Sequence, residues 1–137
     1  MKNQITLSVG ISAYNEQVNI ANVITSLLYQ QESNFVLKEI IVVSDGSIDK
    51  TVELVKGFGD DRVKLIAHTQ RGGKAKRLNE ILRMFKGDIL FLTDADVLPD
   101  DQNMLTRIVN EFEKSEKIDF VLANVRPLPA INFFERA

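Results

Sequence analysis

The sequence predicts an α/β fold, a mostly parallel sheet with helices on both faces, and three observations predict it. Short apolar runs alternate with longer amphipathic ones along the chain. The run Glu39-Ile40-Ile41-Val42-Val43 is β-branched through its apolar part, as suits a strand covered on both faces. Polar clusters follow each expected strand, which is where open parallel sheets bind their ligands. Repeated strand–helix alternation implies parallel pairing through crossover helices.

Ile5–Ser12 is the first expected strand. Val18–Gln31 follows as a helix with Val18, Val23, Ile24, Leu27 and Leu28 on one face. Glu39–Val43 is the second strand, and Asp49–Phe58 a helix stopped by Gly57 and Gly59. Val63–Ala67 is the third strand. Lys74–Phe85 is a helix turning Leu78, Ile81, Leu82 and Phe85 inward, with Gly87 ending it. Asp88–Thr93 is the fourth strand, read as buried from Ile89-Leu90-Phe91-Leu92. Asp101–Lys114 is a helix with Met104, Leu105, Ile108, Val109 and Phe112 on its apolar side, capped from Pro99-Asp100-Asp101. Ile118–Asn124 is a fifth strand, and the tail Arg126–Ala137 is ambiguous.

The 137 residues suit one domain, 45% hydrophobic and 26% charged. A net charge of −2 supplies no global basic field for nucleic acid or an anionic membrane. The absence of cysteine excludes disulfides and thiolate metal sites and suits a cytoplasmic setting. No signal peptide is expected from the opening residues, and no run approaches a membrane span.

Chemistry concentrates at the strand ends. Asp94-Ala95-Asp96 leaves the fourth strand; in an extended chain residues i and i+2 point the same way, so both acids can face one point. Hard cations such as Mg²⁺ take such oxygen ligands, usually one or two carboxylates plus substrate phosphates. Asp45, before the Asp-Gly turn, can accept from a base N–H or a ribose hydroxyl, while Ser47 or Asp49 caps the next helix. Arg71-Gly72-Gly73-Lys74 sets two cations around a glycine pair at a helix start, a pattern suited to phosphate. Lys76 and Arg77 read as its solvated continuation. Tyr14 offers an aromatic face to a base, and Asn15 reads as a helix cap. His68, the lone histidine, reads as structural or surface. There is no G-x-G-x-x-G after the first strand, no Walker A spacing and no Ser-His-Asp arrangement.

Taken in order, Ala13-Tyr14-Asn15-Glu16, Ser44 to Thr51, Arg71 to Asn79 and Thr93-Asp94-Ala95-Asp96 resemble the nucleotide-sugar-binding half of a family 2 glycosyltransferase of the GT-A fold. The resemblance spans residues from about 5 to 125. It implies an inverting transfer from a nucleoside-diphosphate sugar, with uridine the expected base, to a hydroxyl acceptor such as a sugar or lipid-linked sugar. Mg²⁺ or Mn²⁺ is the implied cofactor. Tyr14 and Glu16 would lie by base and ribose with backbone contact from Ala13, and Asp45 would bind base or ribose. Arg71 and Lys74 would line the diphosphate, with Asn79 supporting their loop. Asp94 would sit near the ribose and donor sugar, and Asp96, with Asp94, at the metal.

Two departures stand out. Ser44-Asp45 replaces the family's frequent aspartate pair. The family's general base lies well beyond the D-x-D, and nothing in 124–137, Glu135 included, fills that role. The chain is therefore expected to be the donor half of a truncated GT-A domain, with the acceptor half absent and Ile131, Phe133 and Phe134 packing on missing structure. Such a protein would work in the cytoplasm or at the cytoplasmic face of a membrane, attached through a missing C-terminal part as in some relatives. A non-catalytic nucleotide-sugar-binding module or partner subunit is the alternative, and a nucleotidyltransferase ranks third.

Overall fold

The computed structural model describes residues 4–118. Four parallel strands, β1 (Thr6–Ala13), β2 (Val36–Asp45), β3 (Val63–His68) and β4 (Ile89–Asp94), form one sheet in the order β3-β2-β1-β4. The helices are α1 (Ile20–Leu28), α2 (Thr51–Lys56), α3 (Lys74–Met84) and α4 (Met104–Glu113). The chain walks outward from β1 to β3, then jumps back to place β4 on the other side of β1. That reversal makes the gap between the ends of β1 and β4 the topological switch point, where such sheets bind ligands.

Period-2 alternation divides the strand side chains between two cores. Leu7, Val9 and Ile11 of β1 face α1, α2 and α4, which contribute Ile20, Ile24, Val55, Leu105 and Val109 to the main core. In β2 the register shifts between Leu7 and Ser8, whose partners are Leu37 and Glu39. The extra residue, Lys38, lets Leu37 share a face with Ile40 and Val42 despite the change of parity. Ile41 and Val43 face the other way and meet Ile81 of α3 in a smaller core. There β1 offers Ser8, Gly10 and Ser12. A side chain at Gly10 would lie 2.6 Å from Ile81 Cγ2, so the glycine is what lets α3 settle on the sheet.

The structure corrects several sequence expectations. Helix α1 begins at Ile20 because the Glu16 carbonyl takes both the Asn19 and Ile20 N–H groups, and Val18, expected inward, is 80% exposed. Strand β2 runs through Ser44 and Asp45 because β1 and β3 both pair with its end. Strand β4 is half-buried, with Leu92 exposed, since among the described residues it is an edge. Helix α4 starts at Met104, after Asp101 Oδ1 has accepted the Asn103 N–H. Beyond Ile118, the expected fifth strand and the apolar tail lie outside the described residues.

Two buried polar groups fasten this frame. Glu39 accepts from Ser8 Oγ at 2.6 Å and the Lys86 N–H at 2.7 Å, and pairs with Lys64. Gln30 accepts the Leu105 N–H and donates to the Asp101 carbonyl, tying the end of α1 to the start of α4. The segment that follows the D-x-D is thereby held in place.

Candidate functional site

A cleft of about 300 Å³ opens at the switch point. Its walls are Tyr14 and Glu16 after β1, Asp94 and Asp96 at β4, and Arg71 and Lys74 before and at the start of α3. Ser12, Asp45 and Ala95 complete it. Seven of the eight residues proposed from sequence thus meet in one depression, while Ala13 is buried and outside this lining. Ser12 and Ala95, both small residues, were not among those proposed from sequence.

The loops after β1 and β2 are stapled together. Asn15 adopts a left-handed conformation (φ 50°), accepts the Ile48 N–H at 2.9 Å and donates its own N–H to Ser47 Oγ. It is a loop clamp and caps no helix; the N-cap residues of α1 and α2 are Asn19 and Lys50, and neither makes a side-chain capping bond. Asp49 Oδ1 instead receives the Thr51 N–H. Ser44 is fully buried, hydrogen-bonds Ser47 Oγ and does not line the cleft.

The loop from 70 to 73 is built around Asp45. This carboxylate, 3% exposed, accepts the Gly72 N–H at 2.7 Å, the Gly73 N–H at 3.1 Å and Arg77 Nε at 2.7 Å. Burial alone would raise its pKa; the Gly72, Arg77 and Gly73 donors outweigh that and hold it at about 2. Gly46 makes the approach possible: its φ is +75°, and a Cβ there would sit 2.9 Å from the Gln70–Arg71 backbone. Arg77, expected to be solvated, is 4% exposed and also donates to the Gln70 carbonyl. The periodicity held the clue, since Arg77 stands four residues before Ile81 and seven before Met84, both on the inward face. Asn79 is exposed and takes no part in these bonds.

The cleft's cations are poised by contacts as well. The Arg71 guanidinium lies 3.5 Å from the centroid of the Tyr14 ring, in cation–π geometry, and its Nε is 3.4 Å from Asp45. Lys74 Nζ pairs with Asp94 Oδ1. Asp94 closes β4, but Ala95 and Asp96 turn, with the Val97 N–H on the Asp94 carbonyl. The extended geometry expected of the D-x-D is therefore not how its acids come together; a tight turn at the strand end puts both on the cleft wall. His68, at the end of β3, donates from Nε2 to Glu80 at 2.9 Å and is away from this cleft.

For a divalent cation the protein offers Asp94 and Asp96, both hard oxygen donors. No group of three or more potential ligand residues forms among the described residues. Two carboxylates fit Mg²⁺ or Mn²⁺ when phosphate oxygens and water complete the shell, and they do not make a closed structural site.

The fold and cleft define an α/β protein with a cleft of mixed charge at a sheet switch point. Residues 8–137 match the family model of glycosyl transferase family 2, and the chain belongs to that family. The poly-beta-1,6-N-acetyl-D-glucosamine synthase of Staphylococcus epidermidis is 29% identical over 121 residues, 88% of this chain and 28% of that protein. The chain thus spans little more than a quarter of this relative's length. Among solved structures, the mannosyltransferase PcManGT from Pyrobaculum calidifontis, in complex with GDP-Man and Mn²⁺, superposes with a TM-score of 0.68 at 29% identity, over 77% of this chain and 32% of that one. Glucosyl-3-phosphoglycerate synthase from Mycobacterium tuberculosis, with Mn²⁺, UDP and phosphoglyceric acid, gives a TM-score of 0.68 at 26% identity, over 83% and 41%. The fold is that of the GT-A glycosyltransferases. No helix among the described residues is long and apolar enough to cross a membrane.

Proposed function

We propose that this chain forms the donor half of an inverting, metal-dependent glycosyltransferase that moves a sugar from a nucleoside diphosphate, uridine diphosphate foremost, to a hydroxyl acceptor. One observation carries the reading: Asp94 and Asp96 line a single cleft at the switch point together with Arg71 and Lys74. Carboxylates for a cation beside cations for phosphates are what a metal-bound diphosphate requires. The two solved relatives described with a nucleotide and Mn²⁺ support the same arrangement.

In this reading Arg71 and Lys74 bind and orient the diphosphate, and their charge favours the leaving group as the glycosidic bond breaks. Tyr14 supplies an aromatic surface for the base, already paired with Arg71 on the ring. Asp45 acts through the loop that it organises, and Glu16 lies at the base and ribose end. The cation, when bound between Asp94 and Asp96, would supply Lewis-acid stabilisation of the departing phosphates.

Titration calorimetry of UDP and GDP into the purified chain, with and without Mn²⁺, tests this directly. Binding that requires Mn²⁺ and disappears in Asp96→Asn is expected. Nucleotide binding indifferent to metal would remove the cation's role, and no binding of either nucleotide would remove the donor-site reading.

A second reading, a nucleotide-sugar-binding module without transfer activity, is favoured by the state of the cleft's acids. Asp45 is committed to its loop, Asp94 to Lys74 and Glu16 to Asn19 Nδ2, and with Asp96 given to the cation no cleft acid is left to deprotonate an acceptor. Sugar transfer or hydrolysis by the purified chain would eliminate this alternative.

A further inference from the structure

We propose that a second cleft, on the far side of the 70–73 loop, binds a phosphate monoester. This depression, about 450 Å³, lies between the end of β3 and helix α3 and is larger than the cleft at the switch point. Thr69 and Gln70 form one side, and Lys76, Glu80 and Arg83 the other. The three helical residues recur at i, i+4 and i+7, which sets them along one face of α3. Seven residues of helix separate the Lys76 and Arg83 backbones by about 10 Å.

The charge balance makes this more than an ordinary solvated face. Arg71 and Arg77 also reach the cleft, so its cations greatly outnumber its single carboxylate, Glu80. Glu80 is already engaged by His68 Nε2 at 2.9 Å and by Arg77 Nη1 at 3.7 Å. Arg77 is in turn neutralised by Asp45. Lys76 and Arg83 have no ion-pair partner among the described residues, and both stand on the rim of a concavity. The side chains of Thr69 and Gln70 add polar groups suited to neighbouring hydroxyls.

A phosphate monoester matches this pattern better than a diester. It carries nearly two charges at neutral pH and three strong acceptor oxygens, enough to engage both unpaired cations. The chain's net charge of −2 provides no wider field for a polyanion, so recognition is confined to the cleft. The chemistry is shared by a soluble sugar or polyol phosphate and by a lipid with a monoester headgroup. The proposal does not depend on what fills the switch-point cleft.

Arg71 lines both clefts, so the test must report residue by residue. The ¹⁵N-labelled chain is titrated with glycerol 3-phosphate while its amide resonances are followed. Saturable shifts at Thr69, Gln70, Glu80 and Arg83 are expected, with affinity at least about tenfold weaker in the Lys76→Gln/Arg83→Gln double variant. Both substitutions are at exposed positions, and unchanged resonances elsewhere verify that the fold is kept. A parallel arm uses phosphatidylcholine vesicles containing phosphatidic acid. A response of these same amides to the vesicles alone, abolished in the double variant, supports the site and assigns the monoester to a lipid headgroup. Shifts confined to Tyr14, Lys74, Asp94 and Asp96, shifts that persist in the double variant, or silence in both arms would overturn the proposal. Loss of UDP binding in the calorimetric experiment leaves it untouched, because the two clefts report through different amides.

Discussion

Asp45 accepts the Arg77 Nε–H at 2.7 Å with side chains only 4% and 5% exposed, so the loop that bears Arg71 and leads into Lys74 is anchored by a buried ion pair. Removing one member of such a pair strands the other's charge, at a cost of about 3–5 kcal/mol. Arg77→Met should therefore lower unfolding free energy by about that much in urea titrations. Arg77→Lys should recover only part, because one ammonium cannot serve both Asp45 and the Gln70 carbonyl with the geometry of a guanidinium fork. Equal stability of Arg77→Met and wild type would show that the pair contributes no net stability.

The same carboxylate sets an acid limit. Its folded pKa of about 2 lies below the ordinary aspartate value of 3.8, so the unfolded chain takes up its proton first as pH falls. The stabilisation is complete above about pH 4 and disappears as pH drops through about 2. Unfolding free energy should rise with pH across that window, with a smaller rise in Asp45→Asn. Asp60, also held at about 2 by hydrogen bonds from the Arg62 side chain and N–H, contributes in the same direction and serves as a control through Asp60→Asn.

Gly10→Val should destabilise the protein by about 1–3 kcal/mol, the usual cost of overpacking. The new Cβ would meet Ile81 Cγ2 at 2.6 Å and Leu92 Cδ2 at 2.9 Å. Both are side-chain atoms, so α3 has some room to yield. A companion Ile81→Ala substitution should recover part of the loss, a coupling that a double-mutant cycle measures.

Lys74 Nζ is paired with Asp94 Oδ1, and an ammonium ion there competes with any cation. Under the donor-site reading, Lys74→Met should bind Mn²⁺ several-fold more tightly without nucleotide, yet bind UDP about tenfold more weakly with it. Electron paramagnetic resonance of free Mn²⁺ and calorimetry of UDP separate the two effects. Weaker metal binding in the variant would show that Lys74 is not the competitor.

The sheet, the order of its elements and the grouping of polar residues at its strand ends were legible because each follows from local periodicity. Legibility failed where tertiary contacts choose the outcome. Arg77 stands on the inward face by its spacing to Ile81, but charge suggested solvent, and only the fold brings Asp45 beneath it. Asp94 and Asp96 lie on the cleft as expected by way of a turn, which no two-residue spacing distinguishes from a continued strand. The end of α1 and the start of α4 depend on Gln30 meeting residues more than 70 positions away.

The central place of β1 governs when the switch-point cleft can come into being. Its partner β2 follows soon in the chain, whereas the contacts that seat β4 join residues 82 positions apart, Thr6 with Asp88. Closing so long a loop is the slow part of assembling a parallel sheet. During synthesis, β1, β2 and β3 emerge and can pair before the acidic wall of the cleft has left the ribosome. Under the donor-site reading, nucleotide can be held only after β4 has docked beside β1.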